Sequence, residues 1–149
     1  MRFVVDTMLG KLAKWLRVMG YDTIYQGFYR PHEIAKFVKE GRILLSRHRK
    51  TTEKYTNTVL IHHNHVGEQL SELEMCVQLR PDRSNLFTRC LICNSILKEA
   101  QADKAVENVP EYVFYQNTTG IRFCPSCGRH FWPGTHRKNM EKQLEDWGF

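Results

Sequence analysis

The sequence contains no long apolar segment and no tract dominated by serine, proline or glycine. A membrane-spanning helix needs a run of about 18 or more apolar residues, so the sequence offers no candidate for one. Because 42% of the residues are hydrophobic and 26% are charged, a disordered or fibrous protein is also excluded. The acidic Asp6 comes before any export-signal-like apolar region develops, so we expect a cytoplasmic protein.

The positive charge is concentrated in the first third of the chain. The 149 residues carry 22 Lys and Arg against 16 Asp and Glu. Residues 1–50 hold eleven of the basic residues and only four acidic ones, so the remainder of the chain is slightly negative. Such asymmetry is typical of proteins that bind polyanions, nucleic acid first, although it also simply aids solubility.

Four of the five cysteines form two Cys-x-x-Cys pairs, Cys90 with Cys93 and Cys124 with Cys127. Two such turns place four thiolates where a tetrahedral zinc ion needs them, and a site filled by four thiolates is structural rather than catalytic. A disulfide pair would require an exported protein, and a redox Cys-x-x-Cys would require only one pair. Cys76 lies at an apolar helical position and is interpreted as a small core residue.

Short apolar strands alternate with helical patterns over the first 80 residues. Strands are predicted at residues 3–5, 23–25, 42–45 and 58–62, with helices at 8–19, 31–40 and around 70–77. This alternation predicts an α/β domain with a mainly parallel sheet and helices on both faces. We expect this domain at residues 1–80, a linker at 81–87, and a zinc ribbon with a carboxy-terminal helix at 88–149. A strand-like stretch is predicted at residues 112–115.

Ionisable residues follow several of the predicted strands. In an open parallel sheet the carboxyl ends of the strands share one edge, where ligands bind. Asp6, Glu33 and His48 are expected there, with Glu53, His63 and His65, whereas Asp22 precedes its strand and belongs to the opposite edge. Converging carboxylates suit Mg²⁺ or Mn²⁺ acting on phosphodiesters. The alternative role for Asp6 is to cap the following helix, and the alternative for the histidines is an ordinary loop.

An ordered set of motifs covers nearly the whole chain and resembles the mutator-seven C-terminal domain family. The motifs are FVVD at 3–6, MLGKLAKWLR at 8–17, GYDT at 20–23, RILLSR at 42–47, FTRC at 87–90, CN at 93–94, CPSCG at 124–128 and WPGTH at 132–136. The resemblance implies a PIN-like three-layer sandwich followed by a small four-cysteine zinc ribbon. It also implies a metal-dependent endoribonuclease acting on single-stranded or structured RNA.

Site residues follow from the resemblance by position. Asp6 matches the first acid of the family and Glu33 matches the acid on the second helix. His48 stands where the family usually has an aspartate, and acids expected after the fourth strand are replaced by His63 and His65. His48 is therefore a candidate general base in an altered site that would use Mg²⁺ or Mn²⁺. The residues expected to hold RNA phosphates are Lys11, Lys14, Arg17, Arg47 and Arg49.

Three functions remain compatible with this sequence. The first is a metal-dependent, RNA-processing endoribonuclease using Asp6, Glu33 and His48. The second is a module that binds RNA or a ribonucleoprotein with little or no cleavage, because imidazole holds a hard cation less well than carboxylate. The third is an adaptor that docks on a protein partner through the zinc ribbon; no membrane partner is expected.

Overall fold

The computed structural model describes residues 1–117 and 119–149, which divide into two compact units, residues 1–94 and 95–149. The strands of the first unit are β1 (Arg2–Val5), β2 (Asp22–Tyr25), β3 (Ile43–Ser46) and β4 (Thr58–Leu60). They form one parallel sheet in the order β2-β1-β3-β4. Its helices are α1 (Gly10–Val18), α2 (Glu33–Lys39), α3 (Arg49–Thr52) and α4 (Val66–Val77). The predicted α/β fold with a parallel sheet is confirmed.

The centre of the sheet is apolar on both faces. Phe3, Val4 and Val5 of β1 are fully buried, as are Leu44 and Leu45 of the neighbouring β3. Strands covered by helices on both sides read as continuous hydrophobic runs rather than as alternating ones. The order of the strands thus brings the carboxyl ends of β1 and β3 side by side, directly before Asp6 and Arg47.

The second unit contains a small antiparallel sheet and three helices. Its strands are β5 (Lys98–Glu99), β6 (Arg122–Phe123) and β7 (His130–Phe131), and β6 lies between the other two. Its helices are α5 (Ala102–Asn108), α6 (Glu111–Gln116) and α7 (Thr135–Asp146). Helix α7 buries Met140 and Leu144. Across the described ranges, no helix is long and apolar enough to cross a membrane.

The strand predicted at residues 112–115 is wrong, because this segment belongs to α6. Val113 is buried in a cluster with Ala105 and Val109, and the adjacent Phe114 packs against the same cluster. Two consecutive inward side chains are incompatible with a strand, in which successive side chains point to opposite faces. The aromatic residues of this segment carry a strong β propensity, and packing against α5 overrides it.

Residues 81–94 are attached to the first unit by hydrogen bonds. The predicted linker contains a 3₁₀ turn, Arg83–Asn85, and its Phe87 N–H donates to the Val18 carbonyl over 2.8 Å. Arg89 Nε donates to the Gly20 carbonyl over 3.0 Å. The compact units accordingly divide after Asn94, whereas the sequence suggested a ribbon beginning at residue 88. Backbone and side-chain hydrogen bonds of this kind leave no periodic signal in a sequence.

Gly20 allows residues 81–89 to approach α1 closely. Its φ angle is +88°, and a Cβ atom there would lie 2.5 Å from the Asn85 carbonyl oxygen and 2.9 Å from Asn85 Cβ. Replacement by alanine therefore combines left-handed strain with a steric clash against backbone.

We expect Gly20→Ala to lower the free energy of unfolding by more than about 2 kcal/mol, because the strain alone costs roughly 1–2 kcal/mol. The matched control is Gly148→Ala, since Gly148 has φ +89° with no atom near the added Cβ. Urea unfolding followed by circular dichroism measures both variants. Equal losses of stability would contradict the close approach at Gly20.

Candidate nucleic acid and metal sites

Asp6 is held at the carboxyl end of β1 by three hydrogen-bond donors. Its side chain caps the short 3₁₀ helix that follows β1, because Oδ1 accepts the Met8 N–H over 2.9 Å. Oδ2 accepts the Arg47 N–H over 2.9 Å and also the Ser46 hydroxyl. The residue is only 6% exposed. The capping role considered for Asp6 is therefore present, together with a second role in joining the ends of β1 and β3.

His48 reaches the same edge of the sheet through Ser46. The Ser46 hydroxyl oxygen accepts the His48 N–H over 3.0 Å while it donates to the Asp6 carboxylate. The His48 residue is exposed and precedes the first turn of α3. The structure thus places His48 two hydrogen bonds from Asp6, on the same edge.

Glu33 serves first as a local cap. Its Oε2 accepts the Arg30 N–H over 2.6 Å at the beginning of α2. Within the described ranges no hydrogen bond or ion pair joins Glu33 to Asp6 or His48. The same part of the chain contains only one group of three or more clustered metal-ligating side chains, and that group consists of cysteines. The three predicted catalytic residues therefore do not form a ready-made ligand cluster.

One acceptor position of Asp6 remains available for a cation. A carboxylate has about four lone-pair sites, and three of them on Asp6 accept hydrogen bonds. Magnesium is commonly bound by one or two carboxylates while waters and substrate phosphates complete its octahedral shell. The residues present fit a divalent cation that takes a single fixed protein ligand from Asp6 Oδ1.

Among the basic residues expected to hold phosphates, Arg17 is the one that is buried. Lys11 and Lys14 are exposed on α1, but Arg17 is only 4% exposed. Its Nε donates to the Thr23 carbonyl over 3.0 Å, and Nη1 donates to the carbonyls of Leu91 and Ile92 over 3.0 and 2.8 Å. Burial lowers the pKa of Arg17 below its ordinary value, an effect that the nearby cysteine thiolates partly oppose. The spacing of Arg17 from Lys14 predicts that both lie on the exposed face of α1. The Arg17 side chain is instead buried and bound to carbonyl oxygens.

Arg47 and Arg49 lie at the same edge as Asp6. The half-buried Arg47 donates from Nη2 to the His62 carbonyl over 3.1 Å and to Asn64 Oδ1 over 2.7 Å, which attaches the loop after β4. Arg49 is exposed in the first turn of α3. Three of the remaining basic candidates are thus exposed, and Arg47 is partly engaged within the protein.

Glu72 organises the histidine-rich loop and was not singled out from the sequence. The carboxylate of Glu72 contacts His62 Nδ1 at 2.6 Å and accepts the N–H groups of His62 and His63. Burial acts to raise the pKa of Glu72, but the hydrogen bonds from these two residues outweigh it and lower the pKa. Glu68, one turn earlier in α4, lies 3.7 Å from His63 Nδ1. The signal in the sequence was the i, i+4 spacing of Glu68 and Glu72, which places both carboxylates on the same face of a helix.

The four paired cysteines come together as predicted. Each sulfur of Cys90, Cys93, Cys124 and Cys127 lies within 4.8 Å of the others. Zinc–sulfur bonds of about 2.3 Å in a tetrahedron require sulfur atoms roughly 3.8 Å apart, so this donor set fits one zinc ion. Both turns end in a left-handed residue, Asn94 with φ 70° and Gly128 with φ 72°. Cys76, by contrast, is exposed, and its interpretation as a core residue is wrong.

Arg17 also positions the first of these cysteine turns. Leu91 and Ile92 are the two residues between Cys90 and Cys93, and both offer their carbonyl oxygens to the same guanidinium nitrogen. Asn94 completes the attachment, since its Oδ1 accepts the Thr23 N–H over 3.0 Å and its Nδ2 donates to Asp22 over 2.7 Å. Asp22 in turn forms an ion pair with Arg42.

We expect Arg17→Met to weaken zinc retention by about tenfold or more, because the carbonyls of the Cys90 turn lose a charged hydrogen-bond donor. The control Lys14→Met removes a charge from the exposed face of the same helix. Competition with a chromophoric chelator measures the retained zinc in both variants. Unchanged retention in Arg17→Met would contradict the positioning role, and absence of zinc from the wild-type protein would contradict the four-thiolate site.

Comparison with known proteins matches this chain to a family. A family model described as the Mut7-C RNAse domain matches residues 1–144 of the 149-residue chain. A search of curated proteins finds no match. The matched range includes the whole parallel sheet and all four clustered cysteines.

Proposed function

Because the chain belongs to the Mut7-C RNAse domain family, we propose that it is an RNA-processing endoribonuclease whose substrate crosses the carboxyl edge of the parallel sheet. The observation that carries this proposal is the Asp6 carboxylate, which three donors hold at the adjoining ends of the two central strands. Ligands of open parallel sheets bind at this edge. A fixed carboxylate among basic side chains suits a phosphodiester that approaches together with a cation.

The exposed basic residues of this unit would bind the RNA backbone. Lys11 and Lys14 project from α1, and Arg49 lies at the beginning of α3. Arg47 retains guanidinium donors beyond the nitrogen that contacts the loop after β4. Contacts of this type neutralise phosphates without reading sequence, so we expect recognition of single-stranded or structured RNA with little base preference.

The side chains at the edge would divide the chemistry. A Mg²⁺ or Mn²⁺ ion held by Asp6 would activate water and neutralise charge that develops on the phosphate. The Ser46 hydroxyl and the Arg47 N–H would keep the Asp6 carboxylate oriented. His48 would accept a proton from the attacking group as a general base. Glu33 would enter the site only after releasing the Arg30 N–H that it now caps.

A second candidate function is RNA binding with little or no cleavage. It is favoured by one observation, namely that Asp6, Glu33 and His48 do not form a clustered ligand set in the described part of the chain. A histidine in place of a carboxylate reduces the negative charge that retains a hard cation, and neighbouring Arg47 and Arg49 reduce it further. The same surface would then hold RNA without hydrolysing it.

We expect the zinc-loaded protein to cleave single-stranded RNA in Mn²⁺ or Mg²⁺, and Asp6→Asn to reduce the rate at least about 100-fold because the anionic ligand is lost. His48→Asp restores a carboxylate and should increase cleavage and lower the cation concentration required. Gel analysis of labelled RNA measures the rates, with RNA affinity measured in parallel. Binding that persists without cleavage in both the wild type and His48→Asp would establish the second candidate instead.

We further expect RNA affinity to fall steeply with salt. Replacing Lys11 and Lys14 by glutamine should make the slope of log K against log salt shallower by roughly 1.4, at about 0.7 per phosphate contact on a single strand. The control is Lys142→Gln, at an exposed lysine of α7, which removes the same charge as either single replacement. Fluorescence anisotropy over a potassium chloride series measures the slope, and an unchanged slope in the double variant would remove α1 from the interface.

A further inference from the structure

A cavity of about 330 Å³ lies at the amino ends of β1 and β2, on the edge of the sheet opposite to Asp6. Its walls come from the beginning of β1, from the turn between α1 and β2, and from residues 80–89. The volume is at the lower end of the range for small-molecule pockets. Its position is distinct from the proposed RNA-cleavage edge, and the inference drawn from it does not rest on the proposed function.

The cavity is rich in arginine. Arg2, Arg80 and Arg89 contribute to its lining, and the acidic residues there are Asp22 and Asp82. Asp22 is already paired with a base, because Arg42 Nη1 and Nη2 contact its two carboxylate oxygens at 2.8 and 3.1 Å. Asp82 accepts the Ser84 N–H over 2.9 Å as a local cap. With Asp22 paired, the lining of the cavity contains three arginines and a single remaining carboxylate, that of Asp82.

Two of the lining arginines, Arg2 and Arg89, are anchored by carbonyl oxygens rather than by carboxylates. Arg2 Nη2 donates to the Glu40 carbonyl over 2.6 Å, and Arg89 donates from Nε and Nη1 to the carbonyls of Gly20 and Asn94, each over 3.0 Å. Carbonyl oxygens fix the direction of a guanidinium but leave its full charge. Arg80 has no side-chain hydrogen bond or ion pair with the part of the chain that the structure describes. Each guanidinium has five N–H donors, so most of them remain for a ligand.

The wall formed by residues 80–89 is held in place before any ligand binds. The Arg80 N–H donates to the Tyr21 hydroxyl over 2.9 Å, and the Phe87 N–H donates to the Val18 carbonyl over 2.8 Å. Gly20 permits the contact with Asn85 that brings this segment against the sheet. A preformed wall lowers the entropic cost of ligand binding.

We propose that this cavity is a binding site for the phosphate group of a nucleotide. Phosphate offers several acceptor oxygens to guanidinium forks, and charge-assisted bonds of this type are the strongest that such a cavity provides. The phosphate is either the 5′-monophosphate at the end of an RNA strand or that of a free mononucleotide, and both sources present the same chemistry.

The test compares four probes on the zinc-loaded, full-length chain at low salt without added divalent cation. The probes are inorganic phosphate, uridine 5′-monophosphate, and a 2′-O-methylated oligonucleotide carrying either a 5′-phosphate or a 5′-hydroxyl group. The pocket variant is Arg2→Gln with Arg80→Gln, which leaves the more deeply anchored Arg89 intact. Its charge-matched control is Lys104→Gln with Lys142→Gln, at two exposed lysines of the second unit. Thermal melts verify that both variants fold.

Calorimetry should show saturable binding of uridine 5′-monophosphate that weakens at least about tenfold in the pocket variant and is unchanged in the control. Tighter binding of the 5′-phosphorylated oligonucleotide than of its 5′-hydroxyl counterpart, lost in the pocket variant, would assign the site to an RNA end. Saturation by the mononucleotide with no difference between the oligonucleotides would assign it to a free nucleotide. Absence of saturable binding, or equal binding by wild type and pocket variant, overturns the proposal whether or not the protein cleaves RNA.

Discussion

The hydrogen bonds of the Asp6 carboxylate connect the sheet to its candidate site. They join the ends of the two central strands through the Ser46 hydroxyl and the Arg47 N–H. They also cap the short 3₁₀ helix that precedes α1. A nearly buried carboxylate is costly unless its lone pairs are satisfied, and here three donors satisfy it. The same interactions fix the orientation of the carboxylate at the carboxyl end of β1. The side chain proposed to bind a cation is therefore also one that holds the two central strands together, so its replacement is expected to affect stability as well.

The basic residues of the first fifty positions fall into three groups in the folded structure. Arg17 and Arg42 are buried and engaged, the first with carbonyls around the Cys90 turn and the second with Asp22. Lys11, Lys14 and Arg49 remain exposed, the first two on α1 and the third at the beginning of α3. Arg2 joins Arg80 and Arg89 at the opposite edge. The net charge of a sequence thus overstates the field available to one ligand, because buried bases are matched internally.

The resemblance to the family implies an aspartate where this chain has His48, and the backbone at this position is held independently of the side chain. Its N–H is bound by Ser46, so any side chain at this position starts from the same place on the edge. What changes is the charge near Asp6, where Arg47 and Arg49 flank an imidazole instead of a carboxylate. Restoring the carboxylate by substitution is therefore informative, because it alters the electrostatics without moving the backbone that carries it.

The sequence alone determined the features that depend on local spacing. The buried runs at 3–5 and 42–45 predicted the central strands because a doubly covered strand is continuously apolar, and the two Cys-x-x-Cys turns predicted the thiolate cluster because each turn sets its own geometry. Tertiary contacts decided the rest. Burial of Arg17 depends on carbonyls some 75 residues away in the chain, the helix at Glu111–Gln116 depends on packing against α5, and the arginine-lined cavity depends on residues 80–89 returning to the first strands. Such arrangements follow from long-range hydrogen bonds and packing, which leave no pattern among neighbouring residues.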